Sequence, residues 1–334
     1  RLPILETPTA AVDLNGDGDT RDPGEAAHGS LILWQDSGGG TNATLSQTEY
    51  TVIRGRLLPA RVTTLGGGLL ASGEKNRSAG FVRYAYNHTD RGRLTHLEGA
   101  FNTDLDNSGR EVPVELMVRM DFNNDGDFND PHETLKASNA SSISLAQDAQ
   151  ARVLQDQGLA GNFGFTETII RNEYAIVANK VRTPLSLSFT TTANAQGSVQ
   201  VSARGTETVY DPLTGVAILT RDPLKLRLDG KPLLEVAYDF NGDGDTEDQN
   251  ERFSSAQVGL SDEQYPDDRV GSVSINLELP GDQVHSWTEH EYTSFELYPG
   301  VWKVSRAVTT ARTYGFTDQP HYTDRHQADI VSQL

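Results

Sequence analysis

Hydrophobic residues recur with a period of two along much of the chain, and this pattern predicts β-strands. Ahead of Asp121 one face is apolar and the other is charged. The apolar face comprises Val114, Leu116, Val118, Met120 and Phe122, and the polar face comprises Glu115, Arg119 and Asp121. The same alternation precedes Asp239 and, more briefly, Asp13. Strict alternation is typical of a strand with one buried face.

Other strands are predicted wherever β-branched and aromatic residues lie between turn-forming Gly, Asn, Asp and Pro. These segments are residues 81–86, 185–190, 197–203, 270–277 and 301–305. One helix is predicted from Ser144, because Ser144-Leu-Ala-Gln147 resembles a capping box and Leu145, Ala149 and Val153 share a helical face ahead of Gly158. We therefore expect an all-β protein with at most one or two short helices.

Three copies of one thirteen-residue pattern each continue one of the alternating strands. Each copy places side-chain oxygens at positions 1, 3, 5, 7, 10 and 13 and Gly at position 6. The candidate ligands are Asp13, Asn15, Asp17, Asp19, Asp22 and Glu25; Asp121, Asn123, Asp125, Asp127, Asp130 and Glu133; and Asp239, Asn241, Asp243, Asp245, Asp248 and Glu251. Several oxygen ligands around a sharp backbone turn suit a hard cation such as Ca²⁺. The pattern predicts about three calcium ions, and the competing interpretation is an acidic, solvated turn.

The core Asp-x-Asn-x-Asp-Gly-Asp resembles the EF-hand-like calcium loops of secreted bacterial β-repeat proteins. The resemblance implies calcium binding in an extracellular protein. Two features differ from an EF-hand: the flanks are predicted strands, and the closing acids stand at positions 10 and 13 instead of a Glu at position 12. The ligands at positions 1, 3 and 5 therefore follow the resemblance more closely than those at 10 and 13.

Spacing between these loops predicts tandem repeats. Asp13 and Asp121 lie 108 residues apart, and Asp121 and Asp239 lie 118 apart. A Glu-Tyr pair follows each loop. Its tyrosine lies 53 residues after the first aspartate of the second and third loops, at Tyr174 and Tyr292, and 37 residues after that of the first loop, at Tyr50. Two markers with one spacing indicate repeats of roughly 110–120 residues.

We expect each repeat to be a β-sandwich module of jelly-roll or immunoglobulin-like type, with modules at 1–112, 113–230 and 231–334. The segment 291–305, with its Pro-Gly turn between two apolar strands, loosely resembles the pre-peptidase C-terminal type of secreted β-sandwich domain. That resemblance implies an accessory module without catalytic activity.

Composition narrows the compartment and the partners. The chain has 334 residues, a formal net charge of −19 and no cysteine. The negative charge disfavours nucleic acid and anionic membranes as partners, and no apolar run approaches the ~20 residues of a membrane span. Acidic loops of this type are saturated where calcium is plentiful, so we expect a secreted protein, extracellular or at the cell surface.

Catalytic signatures are few. Ser72-Gly-Glu-Lys75 matches Ser-x-x-Lys, but its glycines disfavour the helix that this motif needs. The loose group His285, His290, His321 and His326 is interpreted as surface polar residues. A fourth candidate calcium loop runs from Asp104 to Glu115, although a plain hairpin turn is favoured there. We expect no enzymatic activity.

The function predicted from these patterns is a calcium-stabilised structural protein, the subunit of an extracellular fibre, sheath or surface adhesin. Self-association through sheet edges or terminal strands is expected, with residues 1–5 and 328–334 as candidate pairing segments. Ordinary terminal strands within one subunit are the alternative for these segments. A glycan or cell-surface ligand is a further possible partner. The alternative function is a non-catalytic carbohydrate-binding or accessory region of a secreted hydrolase.

Overall fold

The computed structural model describes most of the chain between residues 29 and 329. The described ranges are 29–35, 39–53, 56–71, 73–87, 96–123, 125–148, 164–194, 199–221, 235–239, 243–247, 251–254, 269–277, 283–298, 301–314 and 320–329. The chain divides into two compact units, one comprising Arg1–Arg171 with Ala193–Gln196 and the other Asn172–Thr192 with Gly197–Leu334. The first loop, from Asp13 to Glu25, lies outside the described residues.

Antiparallel strands build the first unit. They are β1 (Gly29–Gln35), β2 (Thr41–Ile53), β3 (Arg56–Leu69), β4 (Lys75–Asn87), β5 (His96–Phe101), β6 (Thr103–Leu105), β7 (Glu111–Pro113), β8 (Glu115–Arg119), β9 (Thr134–Ser138), β10 (Ser142–Gln147) and the first part of β11 (Phe165–Val177). The main sheet has the order β1-β2-β3-β4-β10-β11, with β5 also paired to β4. Two separate hairpins, β6–β7 and β8–β9, accompany this sheet.

The second unit is built in the same way. Its strands are the rest of β11, β12 (Lys180–Ala193), β13 (Val199–Tyr210), β14 (Ala217–Arg221), β15 (Glu235–Ala237), β16 (Arg252–Ser254), β17 (Arg269–Leu277), β18 (Gln283–Tyr298), β19 (Val301–Tyr314) and β20 (Pro320–Asp329). The sheet order is β11-β12-β13-β17-β18-β19-β20, with β14 paired to β13 and β15–β16 as a separate hairpin.

The all-β prediction is confirmed: the described residues form strands, turns and loops and contain no helix. All five segments predicted as additional strands overlap strands of the structure, namely β4, β12, β13, β17 and β19. The packing of these sheets as β-sandwich modules, and the module boundaries near residues 112 and 230, stay predictions. Among the described residues there is likewise no helix of the length and apolarity that would cross a membrane.

The helix predicted from Ser144 is wrong where the structure describes it. Residues 144–147 belong to β10, in which Ile143, Leu145 and Gln147 are buried while the residues between them are partly exposed. Leu145 and Gln147 therefore share a face with a period of two. A capping box is a match of only four residues and contributes little free energy. Pairing of β10 with β4 and β11 on its two edges outweighs it.

Alternation ahead of the second loop is confirmed. In β8, Leu116 and Val118 are buried whereas Glu115 is exposed, and Met120 and Phe122 continue the buried face into the loop. Phe122 is fully buried, at 0% exposure. Val236 occupies the equivalent buried position in β15. The apolar stripe thus anchors the second and third loops at the point where the first acid of each appears.

The order of elements repeats. Three long strands in sequence form an antiparallel meander in three places: β2-β3-β4, β11-β12-β13 and β18-β19-β20. A single strand precedes each meander and pairs with its first strand; we call β1, β10 and β17 the linker strands. The hairpins β8–β9 and β15–β16, which carry the second and third loops, stand ahead of the linker strands β10 and β17.

The Glu-Tyr markers lie at equivalent places in this order. Tyr50 is in β2, Tyr174 in β11 and Tyr292 in β18, so each marker belongs to the first strand of a meander. The repeat inferred from spacing is therefore a repeat of topology.

Candidate metal centre

The second and third loops each close a short hairpin. Leu116 pairs with Ala137 and Val118 with Leu135 in β8–β9, and β15–β16 pairs Val236 with Phe253. The backbone closes each loop identically: the Met120 N–H donates to the Glu133 carbonyl at 2.8 Å, and the Tyr238 N–H donates to the Glu251 carbonyl at 2.9 Å. The loops are therefore held at both ends by the same backbone contact.

Glycine at position 6 makes the turn in both loops. Gly126 has φ 92° and Gly244 has φ 96°, values that side-chain-bearing residues rarely adopt. Each glycine N–H donates to Oδ2 of the first aspartate, at 3.0 Å for Asp121 and 2.9 Å for Asp239. A Cβ on either glycine would meet no atom of the described residues within 4 Å. The backbone conformation, and not lack of space, therefore requires glycine here.

Aspartates at positions 5 and 7 order the rest of each turn by accepting bonds from N–H groups two residues ahead. The Asp127 N–H donates to Asp125 at 3.0 Å, and the Asn129 N–H donates to Asp127 at 2.9 Å. In the third loop the Asp245 N–H donates to Asp243 at 3.1 Å and the Glu247 N–H donates to Asp245 at 2.9 Å. Asx turns of this kind curl the chain locally and use one oxygen of each carboxylate.

Position 13 differs from an ordinary surface acid. Glu133 is 0% exposed and Glu251 is 2% exposed. Oε1 of Glu133 accepts the Phe122 N–H at 2.7 Å, and Oε2 accepts the Asp130 N–H at 3.3 Å. Burial raises the pKa of the Glu133 carboxyl, the N–H donors oppose that rise, and the nearby charge of Asp121 adds to it. A buried carboxylate is thus built into the base of the loop.

Side chains at positions 3, 5 and 10 converge in the second loop. Nδ2 of Asn123 donates to Oδ2 of Asp125 at 2.9 Å and to Oδ2 of Asp130, while Oδ1 of Asn123 accepts the Asp125 N–H at 3.0 Å. One amide group therefore bridges two carboxylates. This convergence supports the prediction that Asp130, at position 10, belongs to the same cluster as Asn123 and Asp125.

Asp121 supplies the observation that best fits a bound cation. Its Oδ2 accepts the Gly126 N–H, but its Oδ1 is buried and has no hydrogen-bond partner among the residues that the structure describes. A buried, unpaired carboxylate oxygen is costly unless a cation or a donor compensates it. The surrounding donor set consists of oxygens from Asp, Asn and Glu, which suits calcium better than a softer metal.

The structure describes all six predicted ligands of the second loop, four of the third and none of the first. Asp121, Asn123, Asp125, Asp127, Asp130 and Glu133 are all described and share one loop, as are Asp239, Asp243, Asp245 and Glu251 of the third. Asn241 and Asp248 lie outside the described residues, as do Asp13, Asn15, Asp17, Asp19, Asp22 and Glu25. Within the described part of the chain, no three His, Cys, Asp or Glu side chains are grouped closely enough to hold a metal ion. The carboxylates of the second loop instead accept bonds from backbone N–H groups and from Asn123.

Two residues, one within the second loop and one beside it, were not predicted from the sequence. His132, at position 12, has φ 69°, and its ring stacks on Phe165 at 3.9 Å while Nδ1 lies 3.1 Å from Oε1 of Glu167. Gln147 of β10 donates from Nε2 to the Phe122 carbonyl at 3.1 Å and so ties the loop to the main sheet.

Signals for both residues are visible in the printed sequence. Position 12 is Gly24, His132 and Asn250 in the three loops, and all three residue types tolerate positive φ better than most. Gln147 ends the linker-strand segment Ser142-Ile-Ser-Leu-Ala-Gln147, and the similar segment Ser30-Leu-Ile-Leu-Trp-Gln35 also ends in glutamine.

The fourth candidate loop is a hairpin turn, as the favoured interpretation held. Asp104 lies in β6 and pairs with Arg61 at 2.8 Å. Oδ1 of Asp106 accepts the Ser108 hydroxyl at 2.6 Å and the Arg110 N–H at 3.0 Å, and these bonds lower the pKa of Asp106. Glu115 is exposed on β8. Asp106 therefore stabilises the hairpin turn, and Asp104 forms an ion pair with Arg61.

The other chemical motifs do not form a reactive cluster in the described residues. Lys75 begins β4, so no helix carries it, and Ser72 lies outside the described residues. His285 and His290 belong to β18, and His321 and His326 to β20. A cavity of about 580 Å³ in the first unit is lined by Leu33, Gln35, Thr41, Asn42, Ala43, Gly67 and Gly68, which include no acid or base.

No protein-family model, curated protein or solved structure matches this chain.

Backbone strain at position 6 makes a specific prediction. We expect Gly126→Ala to destabilise the first unit by about 1 kcal/mol, because alanine at φ 92° is strained although its Cβ has space. Gly126→Asn should cost less, since asparagine tolerates positive φ. Urea unfolding in EDTA measures both variants. Equal stability of Gly126→Ala and the parent protein would contradict this account of the turn.

Proposed function

We propose that this protein is a secreted, calcium-stabilised structural protein that serves as a subunit of an extracellular fibre, sheath or surface adhesin. The calcium loops of the described residues act by stabilising the hairpins β8–β9 and β15–β16, which precede the second and third meanders. No residue is assigned a catalytic role.

One observation carries the proposal. Two loops in different units share one geometry: a closing backbone bond, a glycine turn bound to the first aspartate, and a buried glutamate at position 13. Burial of a carboxylate is costly without a compensating charge, and here it occurs in both loops. A calcium ion at each loop supplies that charge, and Asp121 with its buried Oδ1 is the first candidate ligand in the second loop.

The remaining ligands are proposed on the donor set. Asn123 donates to both Asp125 and Asp130 in the loop that begins at Asp121, and Asp127 and Glu133 complete the oxygen-rich sequence. In the third loop Asp239, Asp243, Asp245 and Glu251 stand at the same positions. When bound, the ion cross-links the loop electrostatically. Disulfides play this role in other secreted proteins, but this chain has no cysteine and cannot form them.

The repeated meanders support a structural function. Long antiparallel strands in repeated meanders build extended sheets, and the acidic loops recur at hairpins between them. A repeat architecture of this kind suits a protein whose role is to form a rigid scaffold. High calcium outside the cell would keep such loops occupied.

Electron microscopy of the purified full chain tests the proposal. Filaments, sheets or ordered bundles are expected with millimolar calcium, and dispersed particles are expected in EDTA. A matched sample with magnesium in place of calcium controls for general charge screening, because Mg²⁺ rarely accepts a cage of protein oxygens alone. Monodisperse particles in all three conditions, at every concentration tried, would reject the fibre function.

A further inference from the structure

We propose that the open edge of linker strand β1 binds β20 of a second copy of this chain, so that copies join head to tail in one continued antiparallel sheet. This inference deepens the structural function proposed above and rests on it, because it names the partner and the contact through which subunits assemble.

The repeated topology shows what a linker strand does. In the first unit β10 pairs with β4, the last strand of one meander, on one edge and with β11, the first strand of the next, on the other. In the second unit β17 pairs with β13 and β18 in the same way. A linker strand therefore joins the end of one meander to the beginning of the next.

Among the described strands, β1 makes only half of these contacts. It pairs with β2, the first strand of the following meander, from Gln35 opposite Thr41 to Gly29 opposite Gln47. Its other edge pairs with no strand among those that the structure describes. At the far end of the strand order, β20 closes the third meander and pairs only with β19 within the described part of the chain. The two unmatched edges are the two that the repeat rule would join.

Sequence similarity supports the equivalence of the three linker strands. Their shared segments are Ser30-Leu-Ile-Leu-Trp-Gln35, Ser142-Ile-Ser-Leu-Ala-Gln147 and Ser272-Val-Ser-Ile-Asn-Leu277. Each segment ends opposite the first or nearly the first residue of the following meander, as Gln147 does opposite Phe165 and Leu277 does opposite Gln283.

The register of the proposed contact follows from the pairs already present. Gln147 stands opposite Lys75, the first residue of β4, and Leu277 stands opposite Val199, the first residue of β13. The corresponding first residue of β20 is Pro320. The rule therefore places Gln35 opposite Pro320 and Leu33 opposite Tyr322 of the second copy.

Charge and exposure favour β1 as a contact between copies. Two molecules that each carry −19 repel one another, and β1 has no charged residue. Ile32 is 59% exposed and Leu33 is 54% exposed, on opposite faces of the strand. An exposed apolar edge without charge or proline readily accepts another strand. Because the two surfaces differ, the contact is heterologous and extends into a filament unless the geometry closes a ring.

Cysteine cross-linking tests the contact, since the parent chain has no cysteine. Leu33→Cys and Tyr322→Cys are made as separate full-length variants, mixed in calcium and oxidised with copper-phenanthroline. A disulfide-linked dimer of the two different variants is expected. The double variant Leu33→Cys with Tyr322→Cys should give a ladder of oligomers on non-reducing gels.

Controls separate this contact from its alternatives. Leu213→Cys, at 88% exposure, replaces Leu33→Cys in a matched mixture and should cross-link at least about tenfold less. A dimer formed by Leu33→Cys alone as efficiently as by the mixture would indicate a symmetric β1–β1 contact and overturn the proposal. A fast-migrating monomer of the double variant would show that both edges meet within one copy, which also overturns it.

A charge variant provides a second, independent measurement. Ile32→Lys places a cation on the open edge, and we expect the concentration needed for assembly to rise about tenfold or more. Leu213→Lys is the control and should assemble like the parent protein. Filaments that form in calcium without Leu33–Tyr322 cross-links would reject this contact and leave the structural function standing. Cross-linked pairs without filaments would retain the contact and reject the fibre.

Discussion

Calcium should raise the unfolding free energy of this protein by about 4 kcal/mol for each occupied loop when the free ion exceeds the dissociation constant about a thousandfold. The physical reason is linkage: an ion that binds the folded loop and not the unfolded chain stabilises the folded state. Asp121 illustrates this, because its Oδ1 is buried and finds no hydrogen-bond partner in the described part of the chain. Differential scanning calorimetry in calcium and in EDTA measures the difference.

Loop variants assign that stabilisation to individual sites. Replacing Asp121 and Asp125 together with alanine should remove the calcium-dependent part that belongs to the second loop and leave the third loop responsive. Asp106→Ala is the matched control, because Asp106 is an acid held in a hairpin turn by Ser108 and Arg110. It should lower stability equally in calcium and EDTA. Identical melting curves of the parent protein in the two conditions would refute the calcium assignment.

Truncation of Phe122 should be among the most destabilising single changes in the first unit. The side chain is 0% exposed, so Phe122→Ala loses its whole buried area and leaves a cavity, at a cost of about 3–5 kcal/mol. Its backbone is also bound on both sides, by Glu133 at the N–H and by Gln147 at the carbonyl. Denaturant unfolding in EDTA measures this cost separately from calcium binding.

Phe128→Ala is the control for that measurement. Phe128 belongs to the same loop but is only partly buried, with the Arg119 guanidinium 5.9 Å from its ring centre. We expect it to cost about 1 kcal/mol. Equal losses for the two variants would show that Phe122 does not anchor the loop in the core.

Period-two alternation was sufficient to predict the strands that matter for the loops. Leu116, Val118 and Met120 are buried in the order that their spacing predicts, because successive side chains of a strand point to opposite faces. The glycine at position 6 was equally informative, since a positive φ strongly restricts the residue type. Both signals are local, so they survive without knowledge of the neighbouring strands.

The helix predicted from Ser144 failed for a corresponding reason. A match of four residues to a capping box describes a local preference, whereas β10 pairs along both edges with distant strands. Its residues lie at least 62 positions after their partners in β4 and at least 18 positions before their partners in β11. Long-range hydrogen bonds and the burial of Ile143 and Leu145 outweigh such a preference.

Sequence established the recurrence of the acidic loops, the order of their acidic and amide residues and the strands that lead into them, since each depends on residues within a few positions of one another. Tertiary structure was needed to show that Glu133 is a buried acid, that Gln147 ties the loop to the main sheet, and that Asn123 bridges Asp125 and Asp130. It was also needed to show that β10 and β17 each join two meanders, while β1 pairs with only one within the described part of the chain. Burial and strand pairing depend on segments far apart in the chain, and their partners are chosen only when the whole sheet forms.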